Sequence, residues 1–282
     1  MRLCLFDDNR LGLVRGDTVH DVTAALDALP LRRYPLPRHD MLVAALPDLR
    51  APILAAADKA GVPLASVRLH PPVANPGKIV AAPVNYRKHF QEAEADPATF
   101  HASHVRKIEE TGLFLKANSS LVGASATVRI NQPDRRTDHE VELAVIIGTP
   151  CKDATRATAM AHVAAYAIGL DITIRGPEER SMRKSCDTYT VLGPWMVTAD
   201  EIPDPGALDL ALDVNGEARQ RANTRDLLLD IPELIVFASR FYTLDPGDII
   251  LTGTPDGVGP IRAGDVMQAS ISGIGSMAIP VA

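Results

Sequence analysis

The sequence predicts an α+β fold: a mixed β-roll or barrel-like main domain with a small N-terminal α+β domain. Three observations predict it. Short strand-like runs separated by turn signals dominate, helices are few, and strand and helix do not alternate as they would in a doubly wound parallel sheet.

Taken in order, residues 1–70 open with a strand pair, 2–6 and 11–14, turned at Asp8-Asn9, followed by Ala- and Leu-rich helical stretches. They form the small N-terminal domain. His70-Pro71-Pro72-Val73-Ala74-Asn75-Pro76-Gly77 is dense in Pro and Gly, so residues 71–77 are assigned as a linker and 78–282 as the main domain. Within it, strands are expected at 78–82, 140–147, 167–174, 208–214, 249–252 and 266–271. Asn215-Gly216 signals a hairpin, and Asp245-Pro246-Gly247-Asp248 a tight turn feeding a strand. Asp230 followed by Pro232 and an apolar run to Phe241 reads as a capped helix.

Composition narrows the function classes. A chain of 282 residues with 46% hydrophobic content can bury a full core. Its apolar runs are too short to span a bilayer, and the start Met1-Arg2-Leu3-Cys4 carries no signal-peptide pattern, so a cytoplasmic location without membrane attachment is expected. Cys4, Cys151 and Cys186 are scattered, giving neither a disulfide framework nor a Cys-x-x-Cys motif. A net charge of −6 without a sustained basic run argues against a nucleic-acid partner.

The chemistry-bearing residues centre on Glu140-Val141-Glu142-Leu143-Ala144-Val145-Ile146-Ile147. Alternation of Val141, Leu143, Val145 and Ile147 reads as a strand with one face in the core, which places Glu140 and Glu142 together on the other face. Adjacent carboxylates on an apolar strand repel unless solvated, protonated or bound to a cation. Asp171 interrupts a second apolar run, and three oxygen ligands without thiolate favour Mg²⁺ or Mn²⁺ over zinc. The alternative is a solvated strand face, with Asp171 paired to Arg175.

If a helix begins near Asn85, then His89 and Glu92 share a face, and the carboxylate can orient the imidazole as a general base; a surface ion pair is the alternative. Lys184 is a candidate for holding a substrate carboxylate or a developing enolate. Thr252-Gly253-Thr254-Pro255-Asp256-Gly257-Val258-Gly259 lacks the Gly-Lys-Ser/Thr ending of a phosphate loop, so it reads as a Gly-rich turn whose amides face a ligand, or as a plain turn. His101-Ala102-Ser103-His104, within a polar stretch, is taken as part of a lid rather than as a metal site. Cys186 has no neighbouring base, and Trp195 is assigned to packing.

Together these segments resemble the fumarylacetoacetate hydrolase family. The match runs from about residue 78 to the C-terminus, through Asn85-Tyr86 to Glu92, Phe114-Leu115-Lys116, Glu140-Val141-Glu142-Leu143, Asp171 to Arg175, Lys184 to Thr188, Leu192 to Trp195, Leu244-Asp245-Pro246-Gly247-Asp248, the Gly-rich turn and Gly273-Ile274-Gly275. The resemblance implies a homodimer and Mg²⁺ or Mn²⁺ held by Glu140, Glu142 and Asp171. It further implies a water-activating His89–Glu92 pair, Lys184 at the substrate, and substrate contacts from Tyr86, Arg175, Glu178, Gly253 and Thr254. The activity it implies is hydrolysis of a carbon–carbon bond in a β-diketo acid, such as an acylpyruvate or a fumarylpyruvate-like product of aromatic ring cleavage. Keto-acid decarboxylation and isomerisation or hydration on the same scaffold are the alternatives, and a non-catalytic binder is a further one.

The chain departs from the family pattern in several places. Leu170 stands where many relatives have Asn, Gly176-Pro177-Glu178 replaces Asp-x-Gln, and Ala82-Pro83 replaces a Gly. The 93–112 stretch is longer than in compact relatives. A roomier or differently charged pocket is the expectation drawn from Glu178 and the long stretch.

Overall fold

A computed structural model describes residues 1–58, 60–96, 99 and 108–282. Among the described residues, twelve strands join one mixed sheet whose main path runs Val62–Pro63, Thr18–Asp21, Arg10–Arg15, Arg2–Phe6, Thr190–Thr198, Val163–Asp171, Val141–Ile147, Ile249–Leu251, Ile79–Ala81, Phe114–Lys116. A four-stranded antiparallel sheet follows the order Glu217–Asn223, Asp209–Val214, Val266–Ile271, Gly275–Pro280. A three-stranded sheet joins Thr173–Ile174, Thr137–His139 and Gly259–Pro260. With the helices set against these sheets, the architecture is α+β.

Local chemistry accounts for most of the elements. The first hairpin pairs Leu3 with Leu13 and Phe6 with Arg10, and its turn uses left-handed Asp7 and Asn9. Val214 pairs with Glu217 across Asn215 and Gly216, both at positive φ, as a two-residue hairpin turn demands. Helix Ile231–Phe241 starts on a reciprocal capping box, in which the Asp230 carboxylate accepts from Glu233 N–H and the Glu233 carboxylate accepts from Asp230 N–H. Helix Met41–Ala56 is capped by Asp40 and accommodates Pro47 and Pro52 in its interior.

The Val141–Ile147 strand, read from sequence as having one face in the core, is buried on both faces. Val141, Leu143, Val145 and Ile147 join a core that includes Leu234, Ile235 and Ala238 of helix Ile231–Phe241. Ala144 and Ile146 join a second core with Leu42, Val43, Leu46, Leu49 and Ile53 of helix Met41–Ala56. Period two therefore holds, but each face meets a layer. The strand expected at 167–174 begins earlier, at Val163, and breaks at Ile172 into Val163–Asp171 and Thr173–Ile174. Thr190–Thr198, which runs through Gly193-Pro194, is fully buried and central, and Arg2–Phe6 pairs along it, so residues 1–70 and 78–282 share one sheet. Among the described residues no helix is long and apolar enough to cross a membrane.

Candidate metal centre and active site

Strand register assembles the acidic cluster. Val141 pairs with Leu170 and Glu142 with Gly169, while Asp171 N–H donates to Glu140 O at 2.9 Å, so carboxylates far apart in sequence meet at one end of adjacent strands. Glu140, Glu142 and Asp171 are all buried, and each offers an oxygen within 4.8 Å of the others'. A solvated strand face is thereby excluded.

Cations surround part of this cluster. Lys184 Nζ donates to Glu140 Oε2, Asp171 Oδ2 and Thr173 Oγ1, each at 2.6 Å. Lys116, also buried, donates to Asp171 and to Tyr189 O. Arg175 pairs not with Asp171 but with Asp138 at 2.6 Å and Glu140 at 2.9 Å. Burial alone would raise the Glu140 carboxyl, yet Lys184 and Arg175 hold it below the usual carboxylate range. Among the described residues Glu142 makes no direct ion pair; its Oε2 accepts from Gly253 N–H at 2.7 Å. Burial, then the Asp171 charge, pushes its carboxyl well above the ordinary value.

The charge surplus thus lies on the Glu142 side of an all-oxygen donor set. That chemistry fits a hard divalent cation such as Mg²⁺ or Mn²⁺, which would remove the repulsion at Glu142.

The candidate base faces the same cavity, which is lined by Val84, His89, Thr99, Phe114, Glu140, Glu142, Arg175, Arg180, Arg183, Lys184 and Thr254, among others. Helix Arg87–Ala95 carries His89 and Glu92, with His89 Nδ1 at 2.8 Å from Glu92 Oε2. An ionised carboxylate can only accept, so Nδ1 holds the proton and Nε2 is the basic atom. Glu92 Oε1 in turn accepts from Gly257 N–H at 3.0 Å, tying the helix to the Gly-rich turn. Asn85 fixes the helix entry through Leu229 and Thr252 O, and the residue before it, Val84, is held at φ +42° on the cavity wall.

The remaining expected residues take varied positions. Thr254 lines the cavity and donates to Val141 O at 2.9 Å. Tyr86 is buried with its hydroxyl unpartnered among the described residues, and burial followed by the nearby Glu142 charge raises its pKa; it does not line this cavity. Gly253 acts through its amide on Glu142. Glu178 turns to Arg135, which donates to both its oxygens at 2.9 and 2.7 Å, and is absent from the cavity wall. Its charge is therefore matched locally and does not recharge the pocket as expected. Gly176 makes room for that pair, since a Cβ there would lie 2.0 Å from Arg135 Nη2. Of the 93–112 stretch, Thr99 reaches the cavity and accepts from Arg136, whereas His101 and His104 lie outside the described residues. Trp195 is a packing residue whose indole donates to Ile274 O at 2.8 Å. Cys186 is a free thiol whose pKa is raised by burial.

Several contributors escaped the sequence reading. Gln220, fully buried, accepts from Val141 N–H and hydrogen-bonds His139 Nδ1 through Oε1, and it donates to Thr254 Oγ1 and Pro255 O through Nε2. It locks strand Val141–Ile147 to the Gly-rich turn, but a lone Gln in a polar strand gives no sequence signal. Lys116 had one, as a charge ending the apolar Phe114-Leu115 pair.

Gly253 has φ +97°, and an added Cβ would lie 2.7 Å from Asn85 Cβ. Gly253→Ala is expected to displace the amide that supports Glu142, weakening Mn²⁺ binding about tenfold and lowering stability by about 1–3 kcal/mol. Manganese titration and thermal melting check this, and unchanged values would show that the amide is dispensable.

Comparison with known proteins agrees with this geometry. Residues 78–282 match the family model described as fumarylacetoacetate (FAA) hydrolase C-terminal. A maleylpyruvate hydrolase from Aquipseudomonas alcaligenes is 55% identical over 284 residues, spanning 100% of this chain and 99% of that protein. A crystal structure of maleylpyruvate hydrolase from Sphingobium sp. SYK-6 in complex with manganese(II) ion and pyruvate matches with a TM-score of 0.85 at 43% identity, covering 100% of this chain and 98% of the other. The structure of a 5-carboxymethyl-2-hydroxymuconate delta-isomerase from Mycobacterium smegmatis matches at 0.73 with 30% identity, covering 100% and 98%. The chain belongs to the fumarylacetoacetate hydrolase family.

Proposed function

We propose that the protein is a divalent-metal-dependent hydrolase of β-diketo acids of the acylpyruvate type, with maleylpyruvate or a similar ring-cleavage product as substrate. One observation carries the reading: a buried three-carboxylate cluster and an imidazole held by a carboxylate line or adjoin the same cavity. The likeness to maleylpyruvate hydrolases supports the substrate class.

Glu140, Glu142 and Asp171 would hold Mg²⁺ or Mn²⁺, which supplies Lewis-acid polarisation of a carbonyl and a counter-charge for the enolate. His89 Nε2 takes a proton from water as its oxygen attacks the acyl carbonyl carbon, and Glu92 stabilises the imidazolium through Nδ1. The bond between the acyl carbon and the methylene carbon then breaks, leaving its electron pair on the pyruvate enolate. Return of the proton from His89 to the methylene carbon releases pyruvate and the second acid. Lys184 bonds Glu140 and Asp171 and lines the cavity, where its ammonium would steady negative charge developing on the substrate.

Ultraviolet absorbance of the enol forms of a panel of acylpyruvates, with oxaloacetate included, tests the reading. Loss that requires Mg²⁺ or Mn²⁺, stops with chelator and yields two acids per molecule is expected; turnover of oxaloacetate alone would replace it with decarboxylation. A homodimer belongs to the same proposal, and a monomer mass in solution would contradict that part.

A further inference from the structure

Hydrogen bonding around Gln220 fixes the polarity of one group on the cavity wall. Gln220 is fully buried, and its two amide atoms cannot be interchanged: Oε1 accepts from Val141 N–H at 3.1 Å, and Nε2 donates to Pro255 O at 2.9 Å. Neither backbone group can play the opposite part. The second hydrogen on Nε2 goes to Thr254 Oγ1 at 2.8 Å, so that oxygen accepts. Thr254 in turn directs its own hydrogen to Val141 O at 2.9 Å. Thr254 lines the cavity, and with its hydrogen committed inward the hydroxyl can only accept from whatever it meets there. A ketone or carboxylate oxygen, which also only accepts, makes no hydrogen bond to it. The turn that carries Thr254 is tied to the base as well: Gly257 N–H donates to Glu92 Oε1, and Glu92 Oε2 holds His89 Nδ1. Acceptor and base are thereby held in register on one cavity.

We propose that Thr254 Oγ1 accepts the second O–H of the attacking water, with Gln220 as the positioning residue that keeps it an acceptor, a role that rests on the hydrolase reading above. One hydrogen of the water faces His89 Nε2 and passes to it. The other stays on the oxygen, bonded to Thr254, as that oxygen attacks the acyl carbonyl carbon. No proton passes to Thr254, and the retained hydrogen becomes that of the new hydroxyl on the acid product. With both hydrogens held, a lone pair of the water oxygen is turned to the carbon. A single acceptor would leave the water free to rotate about one hydrogen bond.

Proton return to pyruvate needs the base but no attacking water, and exchange of pyruvate methyl hydrogens in D₂O, followed by NMR, reads it in reverse. In the Mn²⁺-loaded protein, Thr254→Val is expected to lower acylpyruvate hydrolysis about ten- to hundredfold, with Gln220→Met intermediate. Pyruvate exchange, and pyruvate affinity measured calorimetrically, are expected to stay within about twofold of the wild type in both variants. Thr254→Ser, which keeps the acceptor, is expected to recover most of the hydrolysis. A merely structural role for Gln220 would lower hydrolysis, exchange and affinity together, and the melting temperature reports the folding of each variant separately. Equal loss of hydrolysis and of exchange or affinity in Thr254→Val would place the hydroxyl at the keto-acid end, and unchanged hydrolysis would remove it from the reaction; both results overturn the proposal. A wild type that binds pyruvate but hydrolyses no acylpyruvate overturns the hydrolase reading itself, and the role of the water with it, before any variant is compared.

Discussion

Glu142→Gln is expected to abolish metal-dependent turnover, by at least about a thousandfold, while leaving the metal-free protein as stable as before or more so. The two signs differ because Glu142 is the carboxylate least compensated by the protein. It is 1% exposed, accepts from the Gly253 amide, and has its pKa pushed well above the usual range by burial and by Asp171. Glutamine reproduces the neutral acid in shape and removes one cation ligand. With free Mn²⁺ at a hundredfold over its Kd, binding adds about 2.7 kcal/mol, a rise of roughly 5–10 °C in melting temperature, which the variant should lose.

A pH dependence follows from the same residue. Because its folded pKa is raised, the folded state binds more protons than the unfolded one above about pH 4.3. Metal-free wild type should therefore lose stability, relative to Glu142→Gln, as pH rises from there through the raised value. Melting curves over pH, with and without Mn²⁺, check both statements. A variant that still gains stability from Mn²⁺ and still turns over would remove Glu142 from the metal centre.

His89→Ala is expected to lower kcat by about a hundred- to ten-thousandfold with little change in Mn²⁺ affinity, since the imidazole acts on the water proton rather than on the cation. Glu92→Gln should fall between the variant and the wild type. An amide can still bond Nδ1 but lacks the charge that stabilises the imidazolium, and it weakens the tie to Gly257. Single-turnover rates with saturating substrate read the effect directly. Retained kcat in His89→Ala would assign proton removal to another group.

These residues differ in how legible they were from sequence. Glu140 and Glu142 announced themselves because two acids at period two cannot sit on an apolar strand without compensation. His89 and Glu92 were legible as a pair because helical spacing of three residues is a local property, and the helix Arg87–Ala95 follows the expected strand. The hairpin at Asn215-Gly216, the cap at Asp230 and the strand Val266–Ile271 were legible for the same reason: turn conformations and caps are decided by neighbours in the chain. Glu178 misled because a charge change in sequence says nothing of the partner that answers it. Arg135, which neutralises it, arrives from a different segment.

The sequence by itself determined the α+β class, the strand and turn chemistry, the presence of a carboxylate set suited to a hard cation, and the family. The tertiary structure alone decided that both faces of the Val141–Ile147 strand are covered, which turns an acidic strand end into a buried cluster. It also decided that Asp171 meets Glu140 through strand register, that Lys116 and Lys184 answer two acids and leave Glu142 exposed to their charge, and that Arg180 and Arg183 face the same cavity. The division has one physical reason. Propensity, capping and periodicity act over a few residues, whereas burial and charge compensation depend on which distant segments the fold brings within a few ångströms.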